Sequence, residues 1–219
     1  MTTIDIIKAL LNAFEIMAFA ASIRAWPKIR QTVYRWFPFY LGFIVAAEFT
    51  GKYLTYKEYT AAKMIFYDYI VIPAEFLFFM WMYYYEFKKK GRPYIAISAA
   101  LLYLLSLPAD IFIISQKKFL LLSFSYTVGT FMLLILALYF LYRLTTSDEL
   151  LAYKTNLMFW VSAGLLVFYV GSIPFFGMMN TIYAAQNKSL FYGLAYTMYA
   201  VDIIMYLLFI PGFIWYRPK

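Results

Sequence analysis

The sequence contains no cysteine and no histidine. These absences exclude disulfide bonds, thiol nucleophiles, cysteine or histidine metal sites, histidine-ligated haem and hydrolases that use a histidine base. Charged residues are also scarce, at 14% of the 219 residues, whereas apolar residues make up 65% and fall into long runs. This distribution is typical of a polytopic membrane protein, so we expect a single transmembrane domain over residues 1–219.

The net charge of +8 comes from basic residues that are divided among short segments between the apolar runs. Because these residues form no basic domain or arm, the sequence predicts no nucleic-acid partner. They are better interpreted as signals of membrane topology, with the lipid bilayer as the expected partner.

Seven apolar runs are long enough to cross a bilayer as helices, since ~20 residues at ~1.5 Å each cover its hydrocarbon core. The predicted spans of this all-α bundle are 4–23, 36–54, 64–87, 94–114, 119–142, 157–179 and 190–215. The opening MTTIDIIK lacks the positive region and cleavage site of a secretory signal, so the first run is expected to remain as a span. A six-span alternative would make one run re-entrant, and the first is the weakest because it contains Lys8 and Glu15.

Two independent signals predict that the N-terminus lies outside and the C-terminus inside. With this orientation twelve lysines and arginines fall in inner segments and six lie outside or near the outer face. The positive-inside rule favours that distribution. The tryptophans, which prefer the membrane interface, all fall at or near inner ends of spans: Trp26, Trp36, Trp81, Trp160 and Trp215.

Ionisable side chains inside the predicted spans are the main functional signal, because a charge at membrane depth is costly. Carboxylates outnumber lysines there: Glu15, Glu48, Asp68, Glu75, Asp110 and Asp202 against Lys8 and Lys52. Some of these carboxylates must therefore be protonated, reach water or meet a cation from outside. We predict a polar cavity open to the outer side and lined by spans two, three, four and seven.

The third span, MIFYDYIVIPAEFLFFMWMYYYEF, carries the strongest candidate residue. Asp68 and Glu75 are seven residues apart and would share one face of a regular α-helix, and Pro73 between them loosens that helix. Glu75 is central in the span and has no cation within it. We expect Glu75 to be the central group of the site, with Asp68 and Asp202 as its neighbours.

Glu48, Lys52 and Asp110 also have ordinary structural interpretations. Glu48 and Lys52 are four residues apart on one helix, which predicts an ion pair that acts as a brace or an outer gate. Asp110 lies near the predicted outer boundary, close to Lys117 and Lys118, and is expected to be a solvated end residue.

Glu15 and Asp202 likewise have structural interpretations. Glu15 is expected to satisfy Lys8 on one side and a neighbouring helix on the other. Asp202 lies three and four residues from Tyr199 and Tyr206, so hydrogen bonding within a tyrosine stripe would account for it.

Several stretches together resemble a large family of small bacterial seven-span membrane proteins without established activity. They are FPFYLGFIVAAEFTGKYL, FYDYIVIPAEFLFFMWMYYYEF, FSYTVGTFMLLILALYFLY, FWVSAGLLVFYVGSIPFF and MYAVDIIMYLLFIPGF. The resemblance implies a bacterial cytoplasmic membrane and carries over no catalytic residue. No lysine lies between Leu190 and Trp215, which excludes a retinal Schiff base in the last span, and no cofactor is predicted.

Three functions follow from the predicted acidic cavity. The first is a non-enzymatic sensor or accessory subunit that binds a small molecule, a cation or a membrane partner subunit. The second is a small proton- or cation-coupled transporter or channel that uses the intramembrane carboxylates. The third, a lipid hydrolase with Asp68 or Glu75 as general base, is least favoured because no nucleophile motif is present.

Overall fold

The computed structural model describes residues 3–114, 122–185 and 188–218. We number the long helices along the chain, and within the described residues no strand accompanies them. They are α1 (Thr3–Arg24), α2 (Phe37–Tyr56), α3 (Thr60–Lys88), α4 (Tyr94–Ala109), α5 (Ser123–Thr145), α6 (Leu157–Ala184) and α7 (Lys188–Trp215). Short helical segments lie between some of them: Trp26–Ile29, Val33–Trp36 and Asp148–Thr155. The prediction of an all-helical protein is confirmed for this part of the chain.

Six of these helices are long and apolar enough to cross a membrane. The qualifying segments are Ile6–Arg24, Thr60–Lys88, Tyr94–Phe112, Phe124–Thr145, Leu157–Phe176 and Ser189–Trp215. Helix α2 has the length but is not among them, because Glu48 and Lys52 lie in its second half and lower its hydropathy. The first predicted span, which contains Lys8 and Glu15, does qualify.

Residues with a positive φ end two of the helices. Gly91 has a φ of 72° and follows α3, where Arg92 N–H donates to the Phe87 carbonyl at 2.9 Å. Glu58 has a φ of 61° after α2, where Tyr59 N–H donates to the Leu54 carbonyl at 2.9 Å. Both turns satisfy carbonyls that a helix end leaves without a partner.

The chain forms two compact units. The first consists of Met1–Val45, Ala137–Ser172 and Ala195–Lys219, and the second of Ala46–Leu136 and Ile173–Leu194.

Glycines allow α6 and α7 to approach closely within the first unit. A Cβ added at Gly164 would lie 2.8 Å from a ring carbon of Phe209, and one added at Gly171 would lie 2.6 Å from Val201. Such small residues let helix backbones pack together where a membrane supplies no hydrophobic driving force. Aromatic rings also pack within this unit, with Phe37 and Phe213 centroids 5.5 Å apart.

The carboxyl end of α7 is held by other segments of the first unit. Lys28 Nζ donates to the Ile214 carbonyl at 3.0 Å, which places a cation at the negative end of the helix dipole. The rings of Trp160 and Trp215 lie 5.1 Å apart. Basic and aromatic side chains therefore share this end of the unit.

In the second unit α3 packs against α4, and each helix contains one irregular turn. A π-helical turn covers Tyr67–Val71 inside α3, and another, Asp110–Ile114, continues α4. Turns of this kind are rare and often lie at functional sites. Each of the two turns contains one aspartate.

Candidate functional site

The π-helical turn of α3 surrounds Asp68. The N–H of Ile72 donates to the carbonyl of Tyr67, five residues earlier, which widens the helix at this point. Pro73 follows and has no N–H to offer to the carbonyls of Asp68 and Tyr69, five and four residues before it. The proline therefore explains why this turn departs from the α-helix and why the backbone near Asp68 is short of hydrogen-bond donors.

The turn of α4 depends on a second proline. Pro108 has no N–H for the carbonyls of Tyr103 and Leu104. The hydroxyl of Ser106 donates to the Tyr103 carbonyl at 2.6 Å and so satisfies one of them. Asp110 follows directly at the start of the π-helical turn.

The two aspartates accept hydrogen bonds from the beginning of α5. Asp110 Oδ2 accepts from the N–H of Ser125 at 2.7 Å, and the carboxylate of Asp68 accepts from the N–H of Leu122. The first N–H groups of a helix have no partner within it and lie at the positive end of its dipole, so carboxylates are stabilised there. Two side chains from other helices thus cap α5.

Asp110 is only 1% exposed, so the expectation of a solvated end residue was wrong. The prediction placed Asp110 at the membrane boundary from its distance along the chain. The hydrogen bond from Ser125 instead compensates for burial of the carboxylate.

A tyrosine joins these carboxylates. Tyr103 interacts electrostatically with Glu75 and Asp68, and Asp68 interacts in the same way with Asp110. We call Asp68, Glu75, Tyr103 and Asp110 the acidic group. Its members come from α3, from α4 and from the turn that continues α4, all within the second unit.

The hydroxyl of Tyr103 is buried, with the residue 0% exposed, and it has no hydrogen-bond partner among the described residues. Its ring lies 4.9 Å from that of Phe76, centroid to centroid. The ring also packs against Gly129 of α5, where an added Cβ would lie 2.9 Å from two of its carbons. The glycine makes room for the ring, whose hydroxyl interacts electrostatically with Glu75 and Asp68.

Glu48 and Lys52 do not form the predicted ion pair. Tyr67 donates its hydroxyl proton to Glu48 Oε1 at 2.9 Å, across from α3 to α2. The ammonium of Lys52 lies over the ring of Phe49, 5.2 Å from its centroid, on the exposed surface. Glu48 thus holds the first residue of the π-helical turn in α3, and Gly51 makes room for the tyrosine hydroxyl.

Glu15 and Asp202 belong to the first unit, whereas Glu48, Lys52, Asp68, Glu75 and Asp110 belong to the second. Glu15 is buried at 4% exposure, and Asp202 is half-buried. Lys8 is exposed and lies over the ring of Tyr199 at 5.9 Å, so it does not form the expected pair with Glu15. Within the second unit, the structure relates Asp68 to Asp110 and both Asp68 and Glu75 to Tyr103.

Sequence reasoning missed Tyr103 and the backbone donors of α5. In a chain with 23 tyrosines, one more in an apolar run gives no signal. The N–H groups of Leu122 and Ser125 are invisible in a sequence unless the start of the helix is placed correctly, and the predicted span began at residue 119, outside the described residues. Pro108, five residues after Tyr103, was the only local sign of an irregular turn.

Within the described residues no three acidic side chains are arranged to hold a metal ion. Comparison with protein-family models, curated proteins and solved structures gives no match.

Proposed function

We propose that this chain is a non-enzymatic, seven-span membrane protein, a sensor or accessory subunit in which the acidic group binds a small ligand. The observation that carries the proposal is the electrostatic interaction of Asp68 and Glu75 with the buried hydroxyl of Tyr103, which has no hydrogen-bond partner among the described residues. Buried polar groups are normally hydrogen-bonded, so an orphan beside carboxylates is what a ligand site without its ligand would leave. The family resemblance supports a bacterial cytoplasmic membrane as its location.

The hydrogen bonds that cap α5 indicate how ligand binding at the acidic group would change the position of a helix. Asp68 and Asp110 each hold one N–H group at the start of this helix. A ligand that drew either carboxylate toward itself would weaken that hydrogen bond and shift the start of α5. A partner subunit could then respond to the position of α5, as a sensor or accessory role requires.

The proposed topology places the N-terminus outside and the C-terminus inside, with α2 as a true span. It is supported by the excess of basic residues in the inner segments and by the exposed rings of Trp26, Trp36 and Trp215. Glu48 accepts a hydrogen bond from Tyr67, which lowers the penalty for carrying this carboxylate into the membrane.

The absence of native cysteine allows a direct test of this topology. Single exposed residues on either side of α2 and α3 would be replaced: Gln31→Cys, Lys57→Cys and Lys90→Cys. A membrane-impermeant maleimide should label the residue 57 variant in intact cells and the other two only after permeabilisation. Labelling of residues 31 and 57 from the same side would contradict α2 as a span.

The ligand-binding function is tested by screening small solutes for a rise in the melting temperature of the purified protein. A ligand that binds only the folded state stabilises it by mass action. Glu75→Gln should fold but lose the response, whereas Glu86→Gln is the matched control, because Glu86 lies on the same helix and pairs with Lys89 at 2.7 Å. An unchanged response in Glu75→Gln would remove Glu75 from the site.

A proton- or cation-coupled transporter is the second candidate. It is favoured by the two proline-associated turns, since interrupted helices with carboxylates are typical of coupling-ion sites in transporters. Ion flux into proteoliposomes under an imposed potential separates the two functions. Flux that disappears in Glu75→Gln would establish transport, and no flux from folded protein would favour the sensor or accessory subunit.

A further inference from the structure

The hydrogen bonds that cap α5 give Asp68 and Asp110 a structural role, but they give none to Tyr103. Its hydroxyl is fully buried and has no hydrogen-bond partner among the described residues, and leaving such a group unsatisfied lowers the stability of the fold. Phenylalanine at this position would fill the same space without that cost. The hydroxyl therefore needs a role that the packing of the described residues does not supply.

Negatively charged side chains act on this hydroxyl, whose oxygen can itself bind a cation. The carboxylates of Glu75 and Asp68 interact with it electrostatically. Pro73 adds no N–H for the carbonyls of Asp68 and Tyr69 in the adjoining turn. Carboxylate, hydroxyl and carbonyl oxygens are the ligands that hard cations prefer.

The surroundings limit the size and charge of the occupant. The rings of Phe76 and Tyr126 are buried, and their centroids lie 5.5 Å apart directly beside this region, with Gly129 against Tyr103. An ion without bulk fits such packing better than an organic molecule does. Asp68 and Asp110 already accept hydrogen bonds from N–H groups, which favours a single positive charge over two.

We propose that the acidic group binds a monovalent alkali cation, Na⁺, with Glu75 and Asp68 as charged ligands and the Tyr103 hydroxyl as a neutral one. This inference rests on the proposed ligand-binding function and names its ligand class. A bound Na⁺ would satisfy the tyrosine oxygen and offset the negative charge of Glu75 and Asp68.

The test is the melting temperature of the full-length protein in detergent, in chloride salts of Na⁺, K⁺ and N-methylglucamine at equal ionic strength. Na⁺ at about a hundred times its Kd should raise the melting temperature by roughly 5 °C over N-methylglucamine. Tyr103→Phe should fold, be at least as stable without Na⁺, and bind Na⁺ about tenfold more weakly. Tyr83→Phe is the matched control, because Tyr83 is an equally buried tyrosine on α3 and should keep the full response.

The outcomes separate this inference from the function on which it rests. Equal melting temperatures in the three salts, or a Na⁺ response that is undiminished in Tyr103→Phe, would overturn the Na⁺ site. If another solute, such as an organic ammonium, stabilised the protein in a way that Glu75→Gln abolished, the Na⁺ site would fall and the ligand-binding function would stand. If Tyr103→Phe did not fold, Glu75→Gln would serve as the second variant, with loss of the Na⁺ response expected and its retention contradicting the site.

Discussion

Helices α3 and α4 and helices α6 and α7 are both pairs of consecutive apolar helices, with one proline in each helix: Pro73, Pro108, Pro174 and Pro211. Helices α6 and α7 run through their prolines as α-helices and, within the first unit, pack by contacts at glycines. Helices α3 and α4 instead contain π-helical turns, each with an aspartate that bonds to the start of α5. In this chain, a proline inside an apolar helix thus marks a candidate site only where a neighbouring carboxylate accepts a hydrogen bond from an N–H group of another segment.

The largest effect is expected from removing a carboxylate from the first of these pairs. Asp110→Ala leaves the buried N–H of Ser125 without its acceptor and should lower the free energy of unfolding by about 3 kcal/mol. Asp110→Asn keeps an acceptor of the same size and should lower the free energy of unfolding by about half as much. Reversible unfolding in mixed detergent measures both. Equal, small losses would show that the cap of α5 contributes little and would remove the contrast between the two helix pairs.

Helices α6 and α7 should instead lose stability when a side chain between them is enlarged. Gly171→Ala brings a Cβ within 2.6 Å of Val201, and overpacking of this kind lowers the free energy of unfolding by about 1–3 kcal/mol. Gly193→Ala is the control on α7, because nothing lies within 4 Å of its added Cβ. That variant should be neutral or stabilised by up to about 1 kcal/mol, since alanine favours helix more than glycine does. A loss of the same size at both glycines would contradict close packing at Gly171.

A smaller loss of stability is expected when the hydrogen bond between α2 and the π-helical turn of α3 is removed. Tyr67→Phe removes the hydrogen bond to Glu48 and should lower the free energy of unfolding by about 1 kcal/mol. Tyr69→Phe is the control, because Tyr69 lies in the same turn and is 49% exposed. Both variants are compared by the same unfolding measurement. If Tyr69→Phe lost as much stability as Tyr67→Phe, the hydrogen bond would not be what holds the turn.

The sequence predicted the helices well because long apolar runs with few charges leave little choice of structure in a membrane. It also directed attention to Asp68 and Glu75 through their neighbour Pro73. It wrongly predicted an ion pair between Glu48 and Lys52, because spacing on one helix says nothing of a competing partner such as Tyr67 on another. Asp110 was misjudged for the same reason, since its burial depends on a backbone donor fifteen residues away.

Tyr103 shows a further limit of sequence reasoning. Its ring could be expected to pack in the interior, but whether its hydroxyl finds a partner depends on how Gly129 and the two π-helical turns position it. A π-helical turn shifts the register of the residues after it by one position, or about 100°. Asp68 and Glu75 would share one face of a regular α-helix, but the π-helical turn lies between them and Tyr103 interacts electrostatically with both.

Equilibrium binding of radiolabelled Na⁺ to the purified protein tests most directly whether the acidic group is a ligand site. We predict saturable binding of about one ion per chain, weakened at least tenfold in Tyr103→Phe and Glu75→Gln and unchanged in Tyr83→Phe. Absence of saturable binding in the folded wild-type protein, or equal binding in all of these variants, would contradict this assignment.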